Sequence, residues 1–195
     1  MVDFLIHYYK RGEKPCRSLS ALPDDEATAM MRALYVEGSV FWERFEDPEG
    51  YLSLRRAVER RLYDAFLEKG GRPRRPYPIY FMLGRPRWVV EAGDPATIAS
   101  TEELVVPLSL FDESEVSFTY PDSMVSALIV MDKNPDYYEP DYHGHLFTRT
   151  EIEEIVDRRG LPGEGWQTKM PRQFAHYIEA QVWNEEPIER YLLAR

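Results

Sequence analysis

The stretch 165–188, GWQTKMPRQFAHYIEAQVWNEEPI, places the carboxylate of Glu179 in the middle of an aromatic-rich segment. The period of a strand puts this carboxylate on one face with an amide and two aromatic side chains, namely Gln181, Tyr177 and Trp183. Such a face is typical of the wall of a ligand cleft. The period of a helix instead aligns Phe174, Ile178 and Val182 and leaves Glu179 in solvent. Periodicity alone leaves both interpretations open.

The chain length and composition favour a single folded domain. The 195 residues can bury a substantial core without disulfides, and we expect one globular domain over residues 1–195. Hydrophobic residues make up 44% of the chain and aromatic residues 13%, which favours a folded globule over a disordered tail.

The charge balance is acidic, with a formal net charge of −10 at pH 7. Nucleic acid is repelled by such a surface, so the net charge disfavours a nucleic-acid partner. Cys16 is the only cysteine, which excludes an internal disulfide and a thiolate metal cluster. No apolar run has the length of a membrane span, and we expect a soluble, cytoplasmic protein with no membrane partner.

The pattern of turn formers and apolar residues predicts an α+β protein. It indicates strands at 3–9, 78–84, 102–110 and 116–120, the last two joined as a hairpin, and helices from Pro23, over 48–69, after Thr148 and over 187–195. The run 124–131 is apolar throughout and fits a strand or a helix. We therefore expect a mostly antiparallel or mixed central sheet, with helices inserted between the strands.

The segment 48–69 carries the clearest helical period of the chain. Its apolar residues recur every three or four positions, at Tyr51, Leu54, Val58, Leu62, Ala65 and Phe66. Arginine and glutamate fill the other face. We expect this helix to bury its apolar stripe and to leave its charged side in solvent.

His143 and His145 form an H-x-H pair that, on a strand, would turn both imidazoles to one side. Two neighbouring imidazoles suit zinc or another divalent ion, so a metal-dependent hydrolase is one interpretation of the chain. The sequence supplies no third ligand at a typical spacing nearby, and we expect no metal. The segment beginning at Asp132 also fails as a calcium loop, because Tyr137 stands where the turn needs glycine.

Four blocks of the chain resemble the ADP-ribosyltransferase-like toxins that modify DNA bases. RQFAHYIEAQVWNEEPIERYL is similar to the C-terminal strand of that family, which carries a glutamate and precedes a final helix. SFTYPDSM, with Phe118, Thr119 and Asp122, resembles its Phe-Thr-Asp block. LIHYYKR with the following SLSALPDDEATAMM resembles its opening strand and helix, and PIYFMLG its aromatic strand. The SFTYPDSM and HYYKR blocks are also similar to a family of small bacterial proteins of unknown function.

The resemblance implies that NAD is a co-substrate. Loss of nicotinamide leaves an oxocarbenium-like ribosyl cation, which a carboxylate stabilises. On this resemblance Glu179 is that carboxylate and His7 hydrogen-bonds the ribose. Tyr80 or Tyr120 stacks on nicotinamide, and Arg85 is the candidate for the family's arginine.

A second class of function is a non-catalytic interaction module with an aromatic-rich patch for a protein partner. The two classes make different predictions about structure. An enzyme should bring Glu179, His7 and at least one tyrosine into one concave pocket. An interaction module should show an exposed apolar patch and an ordinary, solvated Glu179. The sequence leaves the substrate and any partner open.

Overall fold

The computed structural model describes residues 2–39, 41–92, 98–162 and 176–194. The strands are β1 Phe4–Lys10, β2 Ile79–Leu83, β3 Thr101–Pro107, β4 Val116–Thr119 and β5 Glu179–Val182. The helices in these ranges are α1 Asp24–Leu34, α2 Pro48–Glu68, α3 Arg87–Ala92, α4 Ser123–Asp132, α5 Arg149–Arg159 and α6 Glu186–Leu193.

The five strands form one open sheet in the order β3-β1-β2-β5-β4, and every neighbouring pair is antiparallel. The predicted α+β class with an antiparallel sheet is confirmed. Of the two interpretations left open for the segment around Glu179, the strand is the one observed, because β5 pairs with β2 on one side and β4 on the other. Residues 165–175 of this stretch, including Phe174 of the helical alternative, lie outside the described residues.

The predicted hairpin between 102–110 and 116–120 is wrong. Both segments contain strands, β3 and β4, but these lie at opposite edges of the sheet. Two short 3-10 helices, Leu108–Leu110 and Glu113–Glu115, connect them in place of a tight turn. The edge position of β3 agrees with Pro107, which ends the strand and has no N–H to give to a further neighbour.

One face of the sheet carries the main apolar core. Register places Phe81 of β2 opposite Ala180 of β5, and Ala180 opposite Phe118 of β4. These side chains are buried with Ile152 of α5 and Ile188 of α6 in one hydrophobic cluster. The helix predicted after Thr148 is observed as α5, and it begins with a capping box in which the Thr148 side chain and the Glu151 side chain each accept the other residue's backbone N–H.

The other face of the sheet is polar and lies against α2 and the start of α4. The helical alternative for 124–131 is the one observed, since Asp122 caps α4 by accepting the N–H groups of Met124 and Val125. Trp183, just beyond β5, packs on Phe66 of α2 with ring centres 6.0 Å apart.

The predicted solvent exposure of the charged side of α2 is wrong at two positions. Glu59 is fully buried, and the Arg55 side chain is only 13% exposed, whereas the predicted core residue Leu54 is exposed. The helix is packed on a polar sheet face, so part of its charged side turns inward and its apolar stripe is only partly used. The remaining members Val58 and Phe66 are buried as predicted.

None of the helices in the described ranges combines the length and the apolar character that crossing a bilayer requires.

Candidate functional site

Glu179 lies at the start of β5, on the polar face of the sheet, and only 7% of its surface is exposed. Its Oε1 accepts two hydrogen bonds, from the backbone N–H of Ser123 at 3.1 Å and from the Gln181 side-chain amide at 2.9 Å. The first of these bonds joins the strand to the beginning of α4. The carboxyl group is therefore held in one orientation by two elements of the fold.

Gln181 continues this arrangement along β4 and β5. Its amide nitrogen also donates to the Thr119 hydroxyl at 2.9 Å, and its carbonyl accepts from the Ser117 hydroxyl at 3.0 Å. The indole N–H of Trp183 donates to the same serine at 2.9 Å. We refer to these four side chains and Glu179 as the polar ladder. Its members are all buried, which fixes the environment of Glu179 on the strand side.

Glu179 and Asp122 form a pair of buried carboxyl groups. Burial, together with the negative charge of Asp122, raises the pKa of Glu179 to about 7, against the lowering effect of the hydrogen bonds from Ser123 and Gln181. Burial also raises the pKa of Asp122, although its helix-capping bonds oppose the change. A carboxyl group that exchanges its proton near neutral pH inside a polar cluster is a typical feature of catalytic sites.

Tyr80 reaches the same face of the sheet from β2, where it lies opposite Gln181. Its hydroxyl donates to Glu59 Oε1 at 2.8 Å, and Arg55 Nε donates to the same oxygen at 3.1 Å. The Arg55 guanidinium lies 4.6 Å from the centre of the Tyr80 ring. Burial, and then the charge of Glu59, raises the pKa of Tyr80 well above its ordinary value, so the hydroxyl stays protonated.

Sequence reasoning missed Arg55 and Glu59 as members of this cluster. Their i, i+4 spacing on an amphipathic helix is typical of an exposed ion pair. No signal within the helix distinguishes a charged face in solvent from one that packs on a polar sheet. Tyr80, the partner of Glu59 on β2, can be placed on the polar face only once the strand pairing is known.

Tyr177 and Arg44 lie next to the carboxyl pair. Burial, and then the charges of Asp122 and Glu179, raises the pKa of Tyr177 well above its ordinary value, while Arg44 acts in the opposite direction. Arg44 is exposed, and its guanidinium lies 5.0 Å from the centre of the Phe45 ring. Its positive charge also lowers the pKa of Asp122 against the effect of burial.

His7 lies on the other face of the sheet from Glu179. Its ring packs against Phe81 in the apolar core, with ring centres 5.2 Å apart. Its Nδ1 donates to the Tyr80 carbonyl at 2.7 Å and its Nε2 accepts the Cys16 N–H at 3.0 Å. Burial lowers the pKa of His7, which agrees with this neutral tautomer. The structure does not bring His7 and Glu179 into one pocket.

Tyr120 is also on the core side. It follows β4, is fully buried, and packs edge-on against Tyr142 with ring centres 6.3 Å apart. Of the two tyrosines that the resemblance suggests for stacking, Tyr80 is thus the one that shares a face with Glu179.

Arg85 follows β2 and forms an exposed ion pair with Glu103. It lines a small surface depression of about 40 Å³ together with Tyr177, Leu83 and Pro162. Because Tyr177 neighbours Glu179, this depression lies at the end of β5 where the candidate site begins. Tyr177 thus lines this depression with Arg85, and its pKa is raised by the nearby charges of Asp122 and Glu179.

His143 and His145 belong to a turn before α5. His143 Nδ1 accepts the Glu139 N–H at 3.0 Å, and the His145 ring bonds to the Pro140 carbonyl at 2.9 Å. Within the described ranges no group of three or more His, Cys, Asp or Glu side chains is placed to hold a metal ion.

The aromatic side chains of the described residues are, with one exception, buried or partly buried. Tyr35 is the one aromatic residue among their exposed large hydrophobic side chains, and the others in that group are aliphatic. The exposed large hydrophobic side chains of the described residues are therefore not concentrated in aromatic ones.

Comparison of the chain with protein-family models, with curated proteins and with solved structures gave no match.

Proposed function

We propose that this chain is an ADP-ribosyltransferase-like domain that binds NAD and uses Glu179 as its central carboxylate. The observation that carries the proposal is the state of Glu179, a buried carboxyl group beside Asp122 with a pKa of about 7. The resemblance of the C-terminal segment to the transferase family selects the reaction. That family carries its glutamate on the C-terminal strand, and Glu179 is the first residue of β5.

The chemistry requires one group whose negative charge stabilises a cation and which then accepts a proton as a base. When the ribosyl C1′–nitrogen bond of NAD breaks, its electron pair leaves with nicotinamide and the ribosyl carbon becomes cationic. Ionised Glu179 stabilises that cation, and the acceptor's oxygen or nitrogen then forms the new bond to C1′. The acceptor's proton passes to Glu179, whose pKa of about 7 is suited to accepting a proton at neutral pH.

The polar face supplies further contacts for this reaction. Tyr80 offers a half-buried ring next to the polar ladder, suited to stacking on nicotinamide. Exposed Arg44 offers a positive charge close to the carboxyl pair, suited to the diphosphate of NAD. The ribose contact that the resemblance gives to His7 has no place in this proposal, because both of its ring nitrogens are used on the other face.

An NAD titration followed by thermal unfolding tests the proposal. Wild-type protein at 100 times Kd should gain about 2.7 kcal/mol, which for a chain of this size raises Tm by about 5–10 °C. Glu179→Gln should keep a saturable shift but release nicotinamide at least about 100-fold more slowly, since a single transition-state contact is worth this much. Glu68→Gln, an exposed change at the end of α2, is the matched control and should behave as wild type.

Two results would contradict the proposal. Millimolar NAD that leaves the Tm of wild-type protein unchanged would remove NAD as ligand. Saturable binding with equal nicotinamide release in wild type and Glu179→Gln would keep NAD as a ligand but remove Glu179 from the chemistry.

A further inference from the structure

Helix α4 turns its polar residues inward and its largest apolar residues outward. Its buried residues are Ser123, Ser126 and Ile129, whereas Leu128 is 43% exposed and Met131 is 74% exposed. A surface helix normally directs its apolar stripe to the core, and a helix that is apolar on every side is normally enclosed. The arrangement of α4 is therefore the reverse of the usual one.

The two serines are inside because the neighbouring segments offer them polar partners. The Ser123 N–H donates to Glu179 Oε1 at 3.1 Å, at the start of the polar ladder. One turn later, the Ser126 hydroxyl accepts the N–H of Gly144 at 2.7 Å. Packing on the polar sheet face thus fixes the rotation of α4 about its own axis, and it leaves the opposite side of the helix in solvent.

The exposed side of α4 has the spacing of a helix–helix contact. Met124, Leu128 and Met131 stand at i, i+4 and i+7, which places them in one row along the helix. We call these three side chains the outer face of α4; Met124 is the partly buried member. Flexible methionine side chains adapt readily to the shape of a partner. Contiguous exposed apolar side chains mark interaction surfaces, whereas scattered ones do not.

The outer face leads directly into an acidic segment. Residues 132–141 contain four carboxylates and one lysine. Asp132, Asp136 and Asp141 are exposed. The Tyr137 hydroxyl donates to Asp132 Oδ2 at 2.8 Å, which holds the segment at the end of the helix. An apolar row that ends at negative charge complements a partner whose apolar row is accompanied by lysine or arginine.

The size and the charge of this surface select the kind of occupant. A helix of ten residues is about 15 Å long, which suits a contact with one helix and is too short for a standard interface of about 800 Å² on each partner. A second copy carries the same net charge of −10 and does not complement the acidic segment. An anionic membrane is repelled by the same carboxylates.

We propose that the outer face of α4 is a docking surface for a basic amphipathic helix of another protein. The apolar row of that helix packs on Met124, Leu128 and Met131. Its lysine or arginine side chains lie against the carboxylates of 132–141. The docking surface is independent of the proposed NAD chemistry, because the outer face is the side of α4 opposite the polar ladder.

Calorimetric titration of the protein with a synthetic peptide tests this inference. The peptide has about 18 residues, enough to form a helix, with leucine on one face and lysine on the other. Wild-type protein should bind one peptide with a Kd on the order of 10 μM, as expected of a contact well below standard size. The same peptide with glutamate in place of lysine should bind at least about 10-fold more weakly.

Leu128→Gln with Met131→Gln removes the apolar row and keeps good helix-forming side chains. It should weaken binding of the lysine peptide at least about 10-fold, because truncating the apolar anchors of a contact removes most of its affinity. Both side chains are exposed, so Tm should stay within about 3 °C of wild type. Leu67→Gln with Leu193→Gln changes two exposed leucines on α2 and α6, and this matched control should leave Kd unchanged.

Asp132→Asn with Asp136→Asn tests the charged part of the surface. It should weaken binding of the lysine peptide about 3- to 10-fold at an ionic strength of about 0.01 M, where charges act over about 30 Å. At about 0.1 M the range falls to about 10 Å, and the difference from wild type should shrink.

Three results would overturn the inference. The first is equal affinity for the lysine and glutamate peptides, or an equal loss of affinity in the α4 variant and the Leu67, Leu193 control. The second is a dimer in sedimentation equilibrium that Leu128→Gln with Met131→Gln dissociates, since the occupant would then be a second copy. The third is co-sedimentation with phosphatidylcholine–phosphatidylserine vesicles that the same variant abolishes, since the occupant would then be a membrane.

Discussion

Replacing Glu179 with glutamine should stabilise the protein at high pH and have little effect at low pH. Glutamine keeps the shape of the side chain and removes its ionisation. Burial and the charge of Asp122 raise the pKa of Glu179 from 4.5 to about 7, so the folded protein holds this proton more tightly than the unfolded chain does. Wild-type stability therefore falls as pH rises from 4.5 to 7, and the contribution is constant above 7.

The size of this stability change follows from the difference between the pKa of Glu179 in the folded protein and in the unfolded chain. Between 4.5 and about 7, at about 1.36 kcal/mol for each pH unit, the wild-type protein loses about 3 kcal/mol of unfolding free energy from this one group. Glu179→Gln does not lose it. The difference in unfolding free energy between the variant and wild type should therefore grow by about 3 kcal/mol from pH 4.5 to pH 8.

Urea unfolding of both proteins at pH 5, 6, 7 and 8 measures this difference, with Glu68→Gln as the control. His7 contributes with the opposite sign, because burial lowers its pKa and its stabilising effect is lost as pH falls below 6.5. This contribution is common to both proteins and cancels in the difference. A difference that stays constant from pH 5 to pH 8, or a variant less stable than wild type at pH 8, would refute the assignment of Glu179 as a buried carboxyl group of raised pKa.

Two further changes test the fold around the site. Thr148→Ala should lower the unfolding free energy by about 1 kcal/mol, because it removes the cap of α5. Thr150→Ala, an exposed change two residues later, should lower it by less than about 0.5 kcal/mol. Urea unfolding that ranks the two variants the other way contradicts the observed cap. Gly144→Ala should cost about 1–3 kcal/mol, because φ is +84° and the new Cβ would lie 2.8 Å from Val130 Cγ2. Gly160→Ala has the same backbone demand at φ +75° without a close neighbour, so calorimetry should show a smaller loss of Tm for it than for Gly144→Ala.

The sequence predicts those parts of the fold that depend on local pattern. The capping spacing at Thr148 indicates the start of α5, because this signal lies within a few residues. Around Glu179 the strand period correctly groups the polar side chains on one face, but the sequence leaves a helix equally open there. The undecided run 124–131 shows where local pattern ends. It is apolar throughout, so neither period is visible, and the cap from Asp122 selects the helix.

The rest depends on pairing between distant segments. Nothing local indicates that β3 and β4 lie at opposite edges, since adjacent strands most often pair. The same limit applies to the candidate site. His7 and Glu179 both stand on predicted strands, but the register of β1, β2 and β5 decides which face each occupies, and it places them on opposite faces. Glu59 enters the site only through the packing of α2 on that sheet.

The position of β5 has a consequence for the order in which the protein can fold. This strand follows the other four in the chain, yet it lies between β2 and β4. During synthesis at the ribosome, β2 and β4 have no strand between them until residues 179–182 have emerged, and among the described residues β4 then has only an isolated bridge from Phe118 to Phe147. The sheet therefore closes by long-range contacts made after the other four strands have been synthesised, which is a slow type of folding step, and until then it leaves two strand edges open to pairing with other chains.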